Sequence, residues 1–387
     1  MNRTLSVFLF LLFSSYVFSF AQKRPRRVPL EVQEKKAIED GFLGLTTNGK
    51  VKPGLFKIKA TGISTSEVRK TTEAFLNSLS KEQQGETLFK VDDNEWRKWA
   101  NQHHYKRQGV SFKDLTKEQR NLGFEVLRSG LSARGMKTTR DIMRLNETLA
   151  EIRNDFEEYG EWLYHLTVMG KPSKTEPWGW QFDGHHVIIN YFVLGDQVVM
   201  SPVFLGSEPV RADSGKYKGT VVMQEEEAQG LKFMQSLSKK EQIAATIQSK
   251  KGPTNNLAEA FKDNLIVDNV GLKVSALDEA GEKRLLALIA LYINNNKERH
   301  AKVRLDEIAK HLDDTYFAWI GESAKGSVFY YRIQSPVIYI EFDHQRPIGL
   351  RRSPFPTRNH IHCVIRTPNG NDYGKDLLKQ HYEKHHK

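Results

Sequence analysis

Two short runs carry histidines at spacings that suit chemistry. His360-x-His362, in "RNHIHCVIRTPNGNDYG", sets two imidazoles on one face of a strand, about 7 Å apart at Cα and near enough to converge on one ion. Gly184-His185-His186 lies in a second strand-like run. Successive strand side chains point to opposite faces there, so only one of that pair enters a given site unless the strand bulges. Gly184 is the residue type that permits such a bulge or a close approach of ligand to backbone. His185, His186, His360 and His362 therefore form a candidate set for a divalent transition metal, with zinc, copper and iron all compatible with imidazole and carboxylate donors. Two other readings stand beside it: buried histidines satisfied by hydrogen bonds, and acid/base or anion-binding histidines without metal.

Carboxylates and cations near these runs extend the candidate site. His186 is a candidate catalytic acid/base as well as a ligand. Glu341, in "IEFDHQRP", and Asp372, after the Asn369-Gly370 turn, are candidate catalytic carboxylates that could also orient a ligating imidazole. Arg346 and Arg366, with Arg351 and Arg352, favour a ligand carrying carboxylate or phosphate. Trp178 and Trp180 share one strand face; they read as core, or as an exposed pair that stacks on a sugar or an aromatic ring. His381, His385 and His386 sit among lysines and read as a solvated chain end. The sequence holds no His-Glu-x-x-His, no Cys-x-x-Cys, no Gly-x-Ser-x-Gly and no phosphate-binding glycine loop.

The elements that must position these residues repeat along the chain. "FLNSLSKEQ" from Phe75 matches "FMQSLSKKEQ" from Phe233, and Gly109-Val110-x-Phe112-x-x-Leu115 matches Gly271-Leu272-x-Val274-x-x-Leu277. Gly170, Trp178, Trp180, Phe182, Val187, Ile189 and Tyr191 meet Gly321, Phe329, Tyr331, Ile333, Ile338, Ile340 and Phe342 without a gap. An internally duplicated α+β fold follows, with two helical blocks each followed by an antiparallel sheet region. The expected divisions are a leader over 1–21, an N-terminal arm over 22–63, a first half over 64–223 and a second half over 224–387 ending in a helix. Helix starts are expected at "STSEV" and "TTRDI", and the alternation in "WGWQFDGHHVIINYFV" predicts strands with one buried face.

Composition narrows the function classes. The formal charge of +11 includes the cluster "KRPRR", and elsewhere cations alternate with acidic stretches. No continuous basic stripe interleaved with aromatics suggests a nucleic-acid partner. Cys363 is the only cysteine, so no intrachain disulfide forms; the pattern Ile361, Cys363, Ile365 places it in the core. "MNRTLSVFLFLLFSSYVFSFAQ" predicts a signal peptide cleaved near Ala21 and an exported protein with no integral membrane segment in the mature chain.

The blocks "PWGWQFDGHHVIINYFV", "SPVFLGSEP", "YYRIQSPVIYIEFDHQ" and "RNHIHCVIRTPNGNDYGKDLLKQHY" resemble the bacterial and fungal family called domain of unknown function 3500, from about residue 64 to the end. That resemblance points to Gly184-His185-His186, His360-x-His362 and Asn371-Asp372-Tyr373-Gly374 as the places to look. Exported members are common in the family, in agreement with the leader. The expected function is a metal-dependent enzyme, hydrolase or oxidoreductase, with a histidine-rich cleft between the two halves and a small or polymeric extracellular substrate. The alternative is a non-catalytic binding protein for an anionic or carbohydrate-like ligand.

Overall fold

The computed structural model describes residues 28–385. The expected leader, its cleavage point near Ala21, the basic cluster that follows and His386 lie outside the described residues. Ten helices are described: α1 (Leu30–Glu39), α2 (Ser66–Ser78), α3 (Lys81–Thr87), α4 (Lys117–Gly130), α5 (Ala133–Arg153), α6 (Gln224–Ser236), α7 (Lys239–Ala245), α8 (Glu279–Ile293), α9 (Glu298–Ala309) and α10 (Lys375–His385). The described strands are β1 (Leu88–Phe89), β2 (Val110–Ser111), β3 (Tyr164–Met169), β4 (Trp178–Gly184), β5 (Val187–Leu194), β6 (Gln197–Ser207), β7 (Thr246–Gln248), β8 (Leu272–Lys273), β9 (Tyr316–Gly321), β10 (Phe329–Gln334), β11 (Tyr339–His344) and β12 (Ile361–Arg366). The chain is α+β.

All of these strands join one mixed sheet, in the order β1-β3-β4-β5-β6-β12-β11-β10-β9-β7, with β2 on β3 and β8 on β9. The two ends of the sheet are built alike. β1 runs parallel to β3 as β7 does to β9, and β2 is antiparallel to β3 as β8 is to β9. Gly109 and Gly271 hold positive φ of 83° and 94°. A Cβ on either would strike a backbone oxygen, Leu166 O at 2.6 Å or Phe317 O at 2.3 Å. Only glycine lets the chain pass that close to the neighbouring strand.

Side chains on both faces of the central strands are buried, not one face as the alternation predicted: every residue of β4, β5, β10, β11 and β12 is covered. Helices cover one face. Gly130 of α4 lies against Trp180 and Tyr191, and Gly230 of α6 against Tyr331. Irregular segments cover the other: Gln181 Nε2 donates to Trp96 O (2.9 Å) and Gln334 Nε2 to Val267 O (2.7 Å). The amide nitrogens of these two side chains are thus satisfied by backbone of the covering segments, and the period-two pattern survives inside a three-layer structure.

Helix starts follow local chemistry. Ser80 with Gln83, Thr116 with Gln119 and Ser238 with Glu241 form reciprocal capping boxes. "STSEV" does open α2, with Thr65 as its first flanking residue. "TTRDI" opens nothing: it lies inside α5, which begins at the Ser132 cap, whose side chain accepts from Gly135 N–H. Among the described residues no helix is long and apolar enough to cross a membrane.

Candidate metal centre

β6 and β12 pair antiparallel at the middle of the sheet, where the strands of the two halves of the chain meet. At one end of this pair lie the start of β12 and the end of β6, with the β4–β5 turn beside them. His362 stands opposite Gly206 in the register. A Cβ at Gly206 would meet Ile361 O at 2.7 Å and His362 Cδ2 at 3.1 Å, so the missing side chain makes room for the imidazole. Gly206 N–H also donates to His186 O at 2.8 Å. One glycine thus ties the turn from the first half to the strand from the second.

The hydrogen bonds on the outer nitrogens fix the tautomers of two rings. His360 Nδ1 lies 2.7 Å from Arg346 O. A carbonyl oxygen only accepts, so Nδ1 carries the proton, and in the neutral ring Nε2 is the bare nitrogen. His362 Nδ1 lies 2.8 Å from Glu259 Oε1, and the carboxylate form of Glu259, which holds above about pH 7, imposes the same tautomer. With both rings in that tautomer, two bare Nε2 atoms face each other at 2.9 Å. Two lone pairs at that separation repel, and a cation shared between them removes the conflict. His186 Nε2 approaches His362 Nε2 to 3.3 Å, and the ligand atoms of the three residues all lie within 4.8 Å of one another. A tetrahedral ion with metal–nitrogen bonds of about 2.0–2.1 Å separates its nitrogens by roughly 3.3 Å. The buried group His186, His360 and His362 could hold such an ion.

His186 reaches the centre through an unusual backbone. It occupies the second position of the two-residue turn between Gly184 and Val187, with φ of 65°. A non-glycine residue there is disfavoured and is found where surrounding structure enforces it. The enforcing contacts are present: Tyr164 Oη donates to His185 O at 2.8 Å, and the Tyr164 ring lies where a Cβ on Gly184 would sit, 2.1 Å away. Burial and the neighbouring imidazoles hold His186 and His362 well below the usual histidine range. Both are therefore neutral, as ligands must be.

Further groups brace the ligands. Glu208 accepts from the backbone N–H of Ile348, Gly349 and Leu350 at 2.8 to 3.1 Å and lies 3.5 Å from His360 Nδ1. It holds the segment that follows β11 against the same ring. Glu259 accepts from Asn256 Nδ2 at 3.0 Å, and loss of solvation pushes its carboxyl up to about 7. Asn101 Nδ2 lies 3.5 Å from the His362 ring nitrogens. Among the described residues, the buried Asn101 Oδ1 has no hydrogen-bond partner.

A family model described as "Protein of unknown function (DUF3500)" matches residues 61–375. The chain belongs to the DUF3500 family. No curated protein and no solved structure matches it.

In this DUF3500 chain the residues singled out from the sequence divide sharply. His186, His360 and His362 converge. His185 does not: its Nδ1 lies 2.7 Å from Asn146 Oδ1 of α5, and its ring stacks on His186 at 3.9 Å. Glu341 is not at the centre. It accepts from Leu257 and Ala258 N–H and from Tyr330 Oη, which anchors the segment that delivers Glu259. Asp372 and Arg366 form a buried ion pair at 3.1 Å, with Asp263, Ser201 and Thr367 satisfying the rest. Neither is free to orient a ligand imidazole or to bind an anion. Trp178 and Trp180 are fully buried, the first donating to Ser173 O and the second stacking on Tyr191 at 4.8 Å. They are core, and no stacking platform for a sugar exists there. Arg346 meets the site through its carbonyl oxygen. Cys363 is buried against Met223, on the opposite face of β12.

Glu259, Asn101 and Glu208 escaped sequence reasoning. Glu259 lies in "NNLAEAFKDN", which carries no motif, and only the fold brings it to His362 from 103 residues away. The adjacent pair His103-His104 is a signal visible in the sequence as a His-His dipeptide.

Proposed function

We propose that the chain is an exported metal-dependent enzyme whose ion is held by His186, His360 and His362, and that the two halves descend from a duplication. The observation that carries the metal reading is the 2.9 Å approach of two imidazole nitrogens whose rings turn their other nitrogen to a carbonyl and a carboxyl group. The mirrored strand pairings at the two sheet ends support the duplication, and the apolar leader supports export.

Three imidazoles with an open fourth position are the donor set of hydrolytic zinc sites, and they lack the carboxylate of the two-His-one-carboxylate iron sites and the thiolate of blue-copper sites. Hydrolysis or hydration is the reaction class this set supports best. An ion there would polarise a substrate oxygen or an attacking water. The protein's own residues do the rest. Arg346 O and Glu259 keep the Nδ1 protons in place, and Glu208 holds the backbone of 348–350 beside the centre. Asn101 Oδ1 offers an acceptor to a donor group on the substrate. Arg346, Arg351 and Arg352, on the segment after β11, favour an anionic substrate.

The test is reconstitution. Protein purified without a histidine tag is stripped, reloaded with Zn2+, and assayed against chromogenic carboxylate and phosphate esters. Activity that disappears on stripping, returns on reloading and is lost in His360→Ala supports the reading. Stoichiometric zinc with no turnover across the panel counts against an esterase and leaves a metal-dependent binding protein.

A further inference from the structure

A second group of metal-ligating side chains lies outside the buried triad. His103 and His104 sit on the loop between the 3-10 turn Asn94–Arg97 and β2, and Glu158 on the loop after α5. The ligand atoms of the three lie within 4.8 Å of one another, and His103 Nδ1 contacts Glu158 Oε1 directly. Unlike the triad, this group meets solvent: the side chains of His103 and Glu158 are 24% and 41% exposed, and His104 is exposed.

The loop that bears the two histidines is built to stay in place. Arg107 donates to the carbonyls of Ala100 (2.5 Å), Gln102 (3.0 Å), His103 (3.3 Å) and Tyr105 (3.0 Å), and its Nε donates to Asp183 at 3.0 Å. A buried guanidinium that gathers four carbonyls of one loop leaves its backbone little freedom, so the backbone beneath the two imidazoles is set before any ligand arrives. Glu158 is held likewise, its N–H donating to Asp155 Oδ1 at 3.1 Å. The His103 ring packs on Tyr159 at 4.7 Å and on His185 at 5.5 Å, and His185 stacks on His186. The group therefore stands one histidine away from the buried centre, on its solvent side.

We propose that His103, His104 and Glu158 form a second, solvent-facing metal site that takes a borderline divalent ion such as Zn2+, Cu2+ or Ni2+. Two imidazoles and a carboxylate suit these ions, whereas the hard ions Mg2+ and Ca2+ want oxygen donors. Solvent exposure makes the site weaker and faster to exchange than the triad. The site stands on its own geometry and does not require that the triad be loaded.

Equilibrium dialysis of untagged, stripped protein against Zn2+ tests it. Wild type is expected to bind two ions per chain, one tight and one weak. The double variant His103→Ala/His104→Ala loses the weak ion and keeps the tight one, and Glu158→Gln, an exposed change that leaves the fold intact, weakens that ion roughly tenfold or more. The His360→Ala/His362→Ala variant keeps the weak ion, and weak binding without a tight site in wild type would leave this proposal standing while removing the triad reading. Saturation of wild type at one tight ion overturns the proposal, as does a weak ion that survives in the His103→Ala/His104→Ala variant.

Discussion

Removing Glu259 should weaken metal binding while sparing the unloaded protein. In the native centre His362 Nδ1 has one strong partner, Glu259 Oε1 at 2.8 Å. Without it, the two neutral tautomers of His362 come close in energy, and the one with the proton on Nε2 gains a hydrogen bond to His360 Nε2, 2.9 Å away. That tautomer has no lone pair to give an ion. Metal binding must then reverse the tautomer, break the new bond and reorient a ring with no outer partner. Losing such an outer partner costs about 10- to 100-fold in affinity, or about 1.4–2.8 kcal/mol. The stripped protein moves the other way, because Glu259→Ala deletes a carboxyl that burial has already pushed up to about 7 and relieves the facing lone pairs. Glu259→Gln retains an amide oxygen as acceptor and keeps affinity within about tenfold of wild type. Competition against a chromogenic zinc chelator gives the affinities, and melting of stripped and loaded samples gives the stabilities. Wild-type zinc affinity in Glu259→Ala would refute the tautomer argument.

Other consequences follow from the same geometry. His186→Gly relieves a left-handed φ of 65°, so the stripped variant should melt at or above wild type by up to about 1 kcal/mol while losing tight metal binding; melting curves with and without zinc check both halves. Gly206→Val drives a side chain into Ile361 O and the His362 ring, and should lower both stability and zinc affinity, read by chelator competition and urea titration. His300 is buried, and loss of solvation lowers its pKa to about 4 against the pull of Asp196. The unfolded chain takes up a proton there below about pH 6.5 and the folded chain does not, so stability is full above that pH and falls by about 3 kcal/mol as pH drops to 4. His300→Gln should flatten that part of the urea-midpoint profile, and an unchanged profile would contradict it.

The parts of the fold that were legible in the sequence are those written in local pattern. Strand alternation, the "STSEV" helix start and the recurring glycines survive because they reflect backbone geometry within a few residues, whereas "TTRDI" falls inside α5. The burial of both sheet faces was not legible, since the second layer is irregular chain: Trp96 O and Val267 O satisfy Gln181 and Gln334 from 85 and 67 residues away. The site divides the same way. His360 and His362 share a face by spacing alone, whereas Gly184, read as a bulge within a strand, in fact ends β4 before the turn that delivers His186. Glu341, Asp372 and Arg366 misled because charge beside a candidate strand reads the same whether it serves a ligand or a buried ion pair. The difference lies in partners such as Asp263 and Leu257, which only tertiary structure supplies.

Anomalous scattering at the zinc edge from crystals of untagged, zinc-loaded protein tests most directly whether three imidazoles share one ion. The predicted result is one strong peak about 2.0–2.1 Å from Nε2 of His186, His360 and His362. A map with no peak there, the three rings linked to one another only through protons, would contradict it.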